Sequence, residues 1–123
     1  MWKNLIIDPV AKPRMTQRDK WMVRKPVAKY RKYCENLRKF ENTRKIIDWD
    51  KLEIKFFLPV PRSWSGKKKF EKYGNPHTQR PDIDNLLKGF MDALLPEDSQ
   101  IWNVKVTKLW GTEGSIYVKC KDV

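Results

Sequence analysis

The sequence has two cysteines, Cys34 and Cys120, which are far apart and outside any Cys-x-x-Cys or Cys/His spacing. That excludes a zinc-finger scaffold and a disulfide framework. The opening stretch, Met1-Trp2-Lys3-Asn4-Leu5-Ile6-Ile7-Asp8, lacks the apolar core of a secretion signal. Both thiols are therefore expected to stay reduced, in a cytoplasmic protein. No apolar run approaches the roughly 20 residues needed to cross a bilayer, so a membrane-spanning chain is not expected. Internal repeats, low-complexity tracts and interdomain linkers are missing as well. The 123 residues should form one domain, residues 1–123, with one modest core. Negative charge is the other scarcity, with 15 Asp and Glu against 27 Lys and Arg, a formal net charge of +12.

That charge is unevenly spread. Residues 1–45 carry 14 Lys and Arg and 4 Asp and Glu, whereas residues 82–123 carry 5 and 7. A strongly basic field attracts polyanions, above all nucleic acid. An anionic membrane surface is the weaker reading. Aromatic residues make up 12% of the chain, with six tryptophans, enough for a packed core despite the charge.

Strand and helix patterns alternate along the chain. Residues 2–8 read as a strand ended by Pro9, and Val10 to Lys25 as a basic loop carrying Lys12, Arg14, Gln17, Arg18 and Lys20. From Pro26 to about Lys45, Val27, Tyr30, Cys34, Leu37 and Phe40 recur at helical spacing under a basic outer face. Leu52 to Val60 reads as a second strand, and Ser65 to Gly74 as one or two basic helical turns. Asn75 to Arg80 should be extended, because proline disfavours helix in the residue before it. A helix should then run from Pro81 or Asp82 to about Leu94, burying a stripe of Ile83, Leu87, Phe90 and Leu94. Gln100 to Trp110 and Ser115 to Lys121 read as strands, with Gly111-Thr112-Glu113-Gly114 predicting a hairpin between them. The expected fold class is α/β, a two-layer α+β arrangement of a small mixed sheet packed with helices.

Within this basic chain, Arg80-Pro81-Asp82-Ile83-Asp84-Asn85-Leu86-Leu87-Lys88 and the later pair Glu97-Asp98 concentrate carboxylates. Asp82 falls at the helix start, Asp84 just beyond it and Asp98 in the connection to the next strand. Three carboxylates drawn together repel unless a cation neutralises them. Oxygen-only ligands favour magnesium or manganese, and such an ion facing a phosphodiester assists hydrolysis. Lys88 would add a fixed positive charge at the phosphate. Structural roles compete with this reading: Asp82 as a helix N-cap, and Asp84 with Lys88 as a surface pair one turn apart. A calcium-binding EF-hand loop is excluded, since Leu86 and Leu87 stand where a ligand and a glycine are required.

Other residues suit a nucleic-acid partner less specifically. Lys67, Lys68 and Lys69 are a solvated charge run or a set of phosphate contacts. His77, the single histidine, is either a phosphate contact or a structural residue. Trp21, Trp49 and Trp64 could stack on bases, although aromatic residues in small domains usually belong to the core.

The ordered set Pro81-Asp82-Ile83-Asp84-Asn85-Leu86-Leu87-Lys88, Met91-Asp92-Ala93-Leu94 and Glu97-Asp98-Ser99-Gln100-Ile101 resembles the signature of the RusA family of Holliday junction resolvases. Agreement is closest from about His77 to Trp110 and looser around Lys12-Pro13-Arg14 and Leu52 to Val60. The resemblance implies a magnesium-dependent endonuclease, with manganese as a substitute. It would act as a homodimer on branched DNA and nick opposing strands of a four-way junction during recombination and repair. Asp82, Asp84 and Asp98 would be the catalytic, metal-binding acids and Lys88 the catalytic lysine. Lys12, Arg14, Lys67, Lys68, Lys69, His77 and Arg80 would contact DNA. The connection between Leu94 and Glu97 is shorter than in the founding member. Asp98 is preferred to Glu97 as third acid because Asp98-Ser99-Gln100-Ile101 leads directly into the strand. A non-enzymatic, basic nucleic-acid-binding protein is the alternative.

Overall fold

The computed structural model describes residues 1–14, 24–40 and 43–122. Gln17, Arg18, Lys20 and Trp21 lie outside the described residues. Four strands and four helices follow in the order β1 (Trp2–Leu5), α1 (Lys25–Lys39), α2 (Thr43–Ile46), β2 (Leu52–Pro59), α3 (Gly66–Lys72), α4 (Ile83–Leu94), β3 (Val104–Gly111) and β4 (Ser115–Lys119). The result is the expected mixed α+β domain. The long helix anticipated from Pro26 to Lys45 ends earlier, at Lys39, and α2 forms separately.

The sheet order is β1-β4-β2-β3. β2 runs parallel to β3 and antiparallel to β4, which pairs antiparallel with β1. Alternation along β2 explains its central place. Leu52, Ile54, Phe56 and Leu58 are buried, whereas Lys55 and Pro59 are exposed.

The expected hairpin between β3 and β4 is not formed. Gly111 pairs with Pro59 on one side of β2 and Ser115 pairs with Phe57 on the other. Residues 112–114 therefore step across the end of β2. Two strand spacings measure about 10 Å, and four extended residue steps reach at most about 14 Å, so the short connection suffices. Gly111 is required at the crossing, because a Cβ there would come within 3.0 Å of the Phe57 Cβ and 2.9 Å of the Glu113 carbonyl.

Helices α1 and α4 cover one face of the sheet. Val27, Tyr30, Tyr33, Cys34 and Leu37 form the buried side of α1, and Phe56 of β2 meets Phe90 of α4 edge to face at 6.3 Å between centroids. The buried set on α4 is Leu86, Gly89, Phe90, Ala93 and Leu94, which shifts the expected stripe away from Ile83 and Leu87. The cause is packing on two sides, since α4 meets both the sheet and α1. Gly89 permits the second contact. The Tyr30 hydroxyl donates to the Gly89 carbonyl at 2.9 Å, and residues 10–12 pass directly over the glycine. Among the described residues no helix is long and apolar enough to cross a membrane.

Residues 74–77 extend the sheet beyond β3. Gly74 N–H donates to the Trp110 carbonyl, Trp110 N–H to the Asn75 carbonyl and His77 N–H to the Lys108 carbonyl, at 2.8–3.0 Å. This agrees with the extended conformation expected for the segment before α4.

Candidate functional site

The start of α4 is held from two sides. Lys108 reaches from β3 and donates from Nζ to the carbonyls of Gln79 and Pro81, fixing the chain immediately before Asp82. On the other side Lys12 N–H donates to the Asn85 carbonyl, and the Lys12 ammonium pairs with Asp92 one helical face along. Sequence reasoning missed both Lys108 and Asp92 as positioning residues. For Asp92 a signal existed, because Asp84, Lys88 and Asp92 recur every four residues on the polar edge of α4. Lys108 carried none, since only tertiary packing brings β3 to this loop.

Asp82 occupies the N-cap position, with extended φ and ψ of −69° and 142°, yet its side chain makes no capping bond. Asp84, in the first turn, accepts among the described residues only from the adjacent Asn85 N–H, at 2.9 Å. Both are exposed. The surface pair between Asp84 and Lys88 is not formed. Among the described residues the ion pairs are Lys12 with Asp92 and Lys32 with Glu35. Neither structural alternative, the side-chain N-cap or the surface pair, therefore engages these carboxylates.

After α4, Asp98 is half-buried and its carbonyl accepts from Ile101 N–H at 3.1 Å. Glu97 is exposed and accepts at the limit of hydrogen-bond length from Ser99 N–H. Glu97 thus closes the turn that Asp98 enters. The oxygen donors of Asp82, Asp84 and Asp98 suit a hard divalent ion, and among the described residues none of the three has a cationic partner. Among the described residues, however, no group of three or more His, Cys, Asp or Glu stands within joint reach of one ion. The expected convergence of three carboxylates is not assembled.

The proposed DNA contacts fall into two groups. Arg14, Lys67, Lys68, Arg80 and Lys88 are exposed, and Lys69 is half-buried. Lys68 lies over the Trp64 ring at 4.1 Å, and Trp64 packs on Trp110 rather than standing free for a base. Trp49 likewise packs on Phe90. Lys12 is committed to Asp92, which neutralises its charge locally.

His77 is only 6% exposed, and its ring lies 4.1 Å from that of Trp110. Burial, with Lys108 nearby, pushes its pKa down and favours the neutral ring. Its Nδ1 is buried without a hydrogen-bond partner. This geometry belongs to a packed wedge between Trp110 and the approach to α4, not to a surface phosphate ligand.

Comparison with known proteins adds an independent line. The family model described as Endodeoxyribonuclease RusA matches residues 7–121. The uncharacterized protein YqaN of Bacillus subtilis (strain 168) is 35% identical over 80 residues, covering 58% of this chain and 56% of that protein. The match thus spans little more than half the length of that curated relative. No solved structure matches. With nearly the whole chain inside the family model and the acidic motif at the exposed start of α4, the chain belongs to the RusA endodeoxyribonuclease family.

Proposed function

We propose that the protein is a magnesium-dependent endonuclease that resolves four-way DNA junctions by paired nicks as a homodimer. The reading is carried by the three carboxylates of Asp82, Asp84 and Asp98, which have no cationic partner among the described residues of a chain of net charge +12. Family membership supports DNA as the substrate. Asp82, Asp84 and Asp98 would hold the ion, whose chemistry when bound is to neutralise phosphate charge and favour hydroxide formation from water. Lys88 brings a point charge toward the phosphate, where negative charge grows as the bond breaks. Arg80, Arg14 and Lys67 to Lys69 grip backbone phosphates and orient the strand. Lys108 and the Lys12–Asp92 pair keep the acidic segment in register by anchoring its flanks. Two copies related by a dyad would present two such sites to one symmetric junction.

The absence of an assembled three-carboxylate cluster favours a second reading, a basic binding module without catalysis. One experiment separates the two. A labelled four-way junction and a matched linear duplex are incubated with the protein or its Asp82→Asn variant, in magnesium or chelator. The nuclease reading expects magnesium-dependent paired nicks, a loss of about a hundredfold or more in the variant, and undiminished binding. Binding without cutting, in magnesium and in manganese, would favour the module.

A further inference from the structure

Helix α3 contributes nothing to the core. None of its residues is buried, and Phe70 is 79% exposed. Scattered exposed apolar residues are ordinary on a protein surface, but Phe70 stands in unusual company. Lys67, Lys68, Lys69 and Lys72 surround it, Glu71 is the sole acid, and Tyr73, itself 38% exposed, follows three residues later. Lys67, Phe70 and Tyr73 therefore lie along one side of the turn.

The projection is nevertheless well anchored. Ser65 Oγ accepts from Lys68 N–H at the helix start, and Asn75 Nδ2 donates to the Glu71 carbonyl at its end. Trp110 receives both flanks, Trp64 through ring contact at 4.9 Å and Gly74 and Asn75 through backbone hydrogen bonds. A short helix that is capped, doubly anchored and absent from the core presents a rigid apolar tip within positive charge.

We infer that Phe70 is a wedge that enters unstacked bases at a DNA branch point while lysines of the same helix hold the flanking phosphates. Charge complementarity selects DNA over an apolar protein partner, and an aromatic ring gains most where bases are already unstacked. Such a wedge favours a branch over intact duplex, because opening a continuous stack costs more than filling a discontinuity. The inference rests on the branched-DNA reading above and names the residue that would sense the branch.

The test uses the full chain in chelator, so that no strand is cut, with synthetic DNA carrying 2-aminopurine either at a junction centre or within a linear duplex. The wild type should raise 2-aminopurine fluorescence on the junction and not on the duplex. Phe70→Ala should abolish that rise and lower junction affinity about tenfold, with duplex affinity and salt dependence retained. Phe70→Leu should restore part of both effects. An unchanged signal and affinity in Phe70→Ala would overturn the inference. So would a change in sedimentation that makes Phe70 a contact between copies. The outcomes remain separable from the nuclease reading. Cleavage that depends on Asp82 but ignores Phe70→Ala removes the wedge alone, whereas a Phe70-dependent signal without cutting in magnesium removes the nuclease alone.

Discussion

Burial beside Trp110 and the nearby charge of Lys108 push the His77 pKa below its ordinary 6.5. In the unfolded chain the imidazole takes up a proton as pH falls through 6.5, whereas in the folded chain it resists until a lower pH. The stability conferred by the neutral ring is therefore present above 6.5 and lost as pH falls through the folded pKa. The Tm of the wild type should fall between pH 7.5 and pH 5.5 more steeply than that of His77→Gln, as melts of the two proteins would show. Little of this was legible in the sequence. A lone histidine in a basic chain fits a phosphate contact as well as a structural role, and only the position of Trp110 decides between them. Asp82 and Asp84 were legible, because Pro81 and the apolar spacing that follows fix where the helix starts.

Close packing between elements depends on Gly89. A Cβ there would stand 2.9 Å from the Val10 carbonyl, 3.1 Å from Lys12 N and 3.2 Å from the Tyr30 ring. Two of these neighbours are backbone atoms that cannot rotate away. Gly89→Ala should therefore destabilise the fold by about 1–3 kcal/mol, measured by urea denaturation, despite alanine's better helix propensity. The cost arises where the β1–α1 connection crosses α4, so loss of Lys12 anchorage should accompany it. Strand and helix identities were largely readable from period and proline placement, including β2 with its alternating face and α4 with its bounds near Asp82 and Leu94. Pairing was not. Gly111-Thr112-Glu113-Gly114 has the composition of a hairpin turn, and nothing local reveals that β2 occupies the space between β3 and β4. The buried face of α4 was likewise displaced because a second helix packs where a one-sided wheel assumes solvent.

The whole molecule combines a net charge of +12 with a local concentration of acids, five of its 15, between Asp82 and Asp98. Binding to DNA should accordingly be governed by counterion release. Five phosphate contacts, as from Arg14, Lys67, Lys68, Lys69 and Arg80, give a salt slope of about −4.5, a loss of about 500-fold between 50 and 200 mM salt. Replacing Lys67, Lys68 and Lys69 together by alanine should reduce that slope by about 2.7, measured by fluorescence anisotropy on duplex DNA. The sheet connects the two ends of this chain, with Trp2 opposite Lys119 and Met1 accepting from Cys120 N–H. Among the described residues β2 pairs only with β3 and β4, and β1 only with β4. During synthesis β2 must therefore wait for strands made more than 40 residues later, roughly 3–10 s at about 5–20 residues per second. Throughout that interval Phe56-Phe57-Leu58 is an apolar strand with no neighbour on either edge. Because β4 pairs with both β1 and β2, the sheet closes only once β4 has been made, and until then the apolar run of β2 is open to any chaperone that binds extended hydrophobic segments.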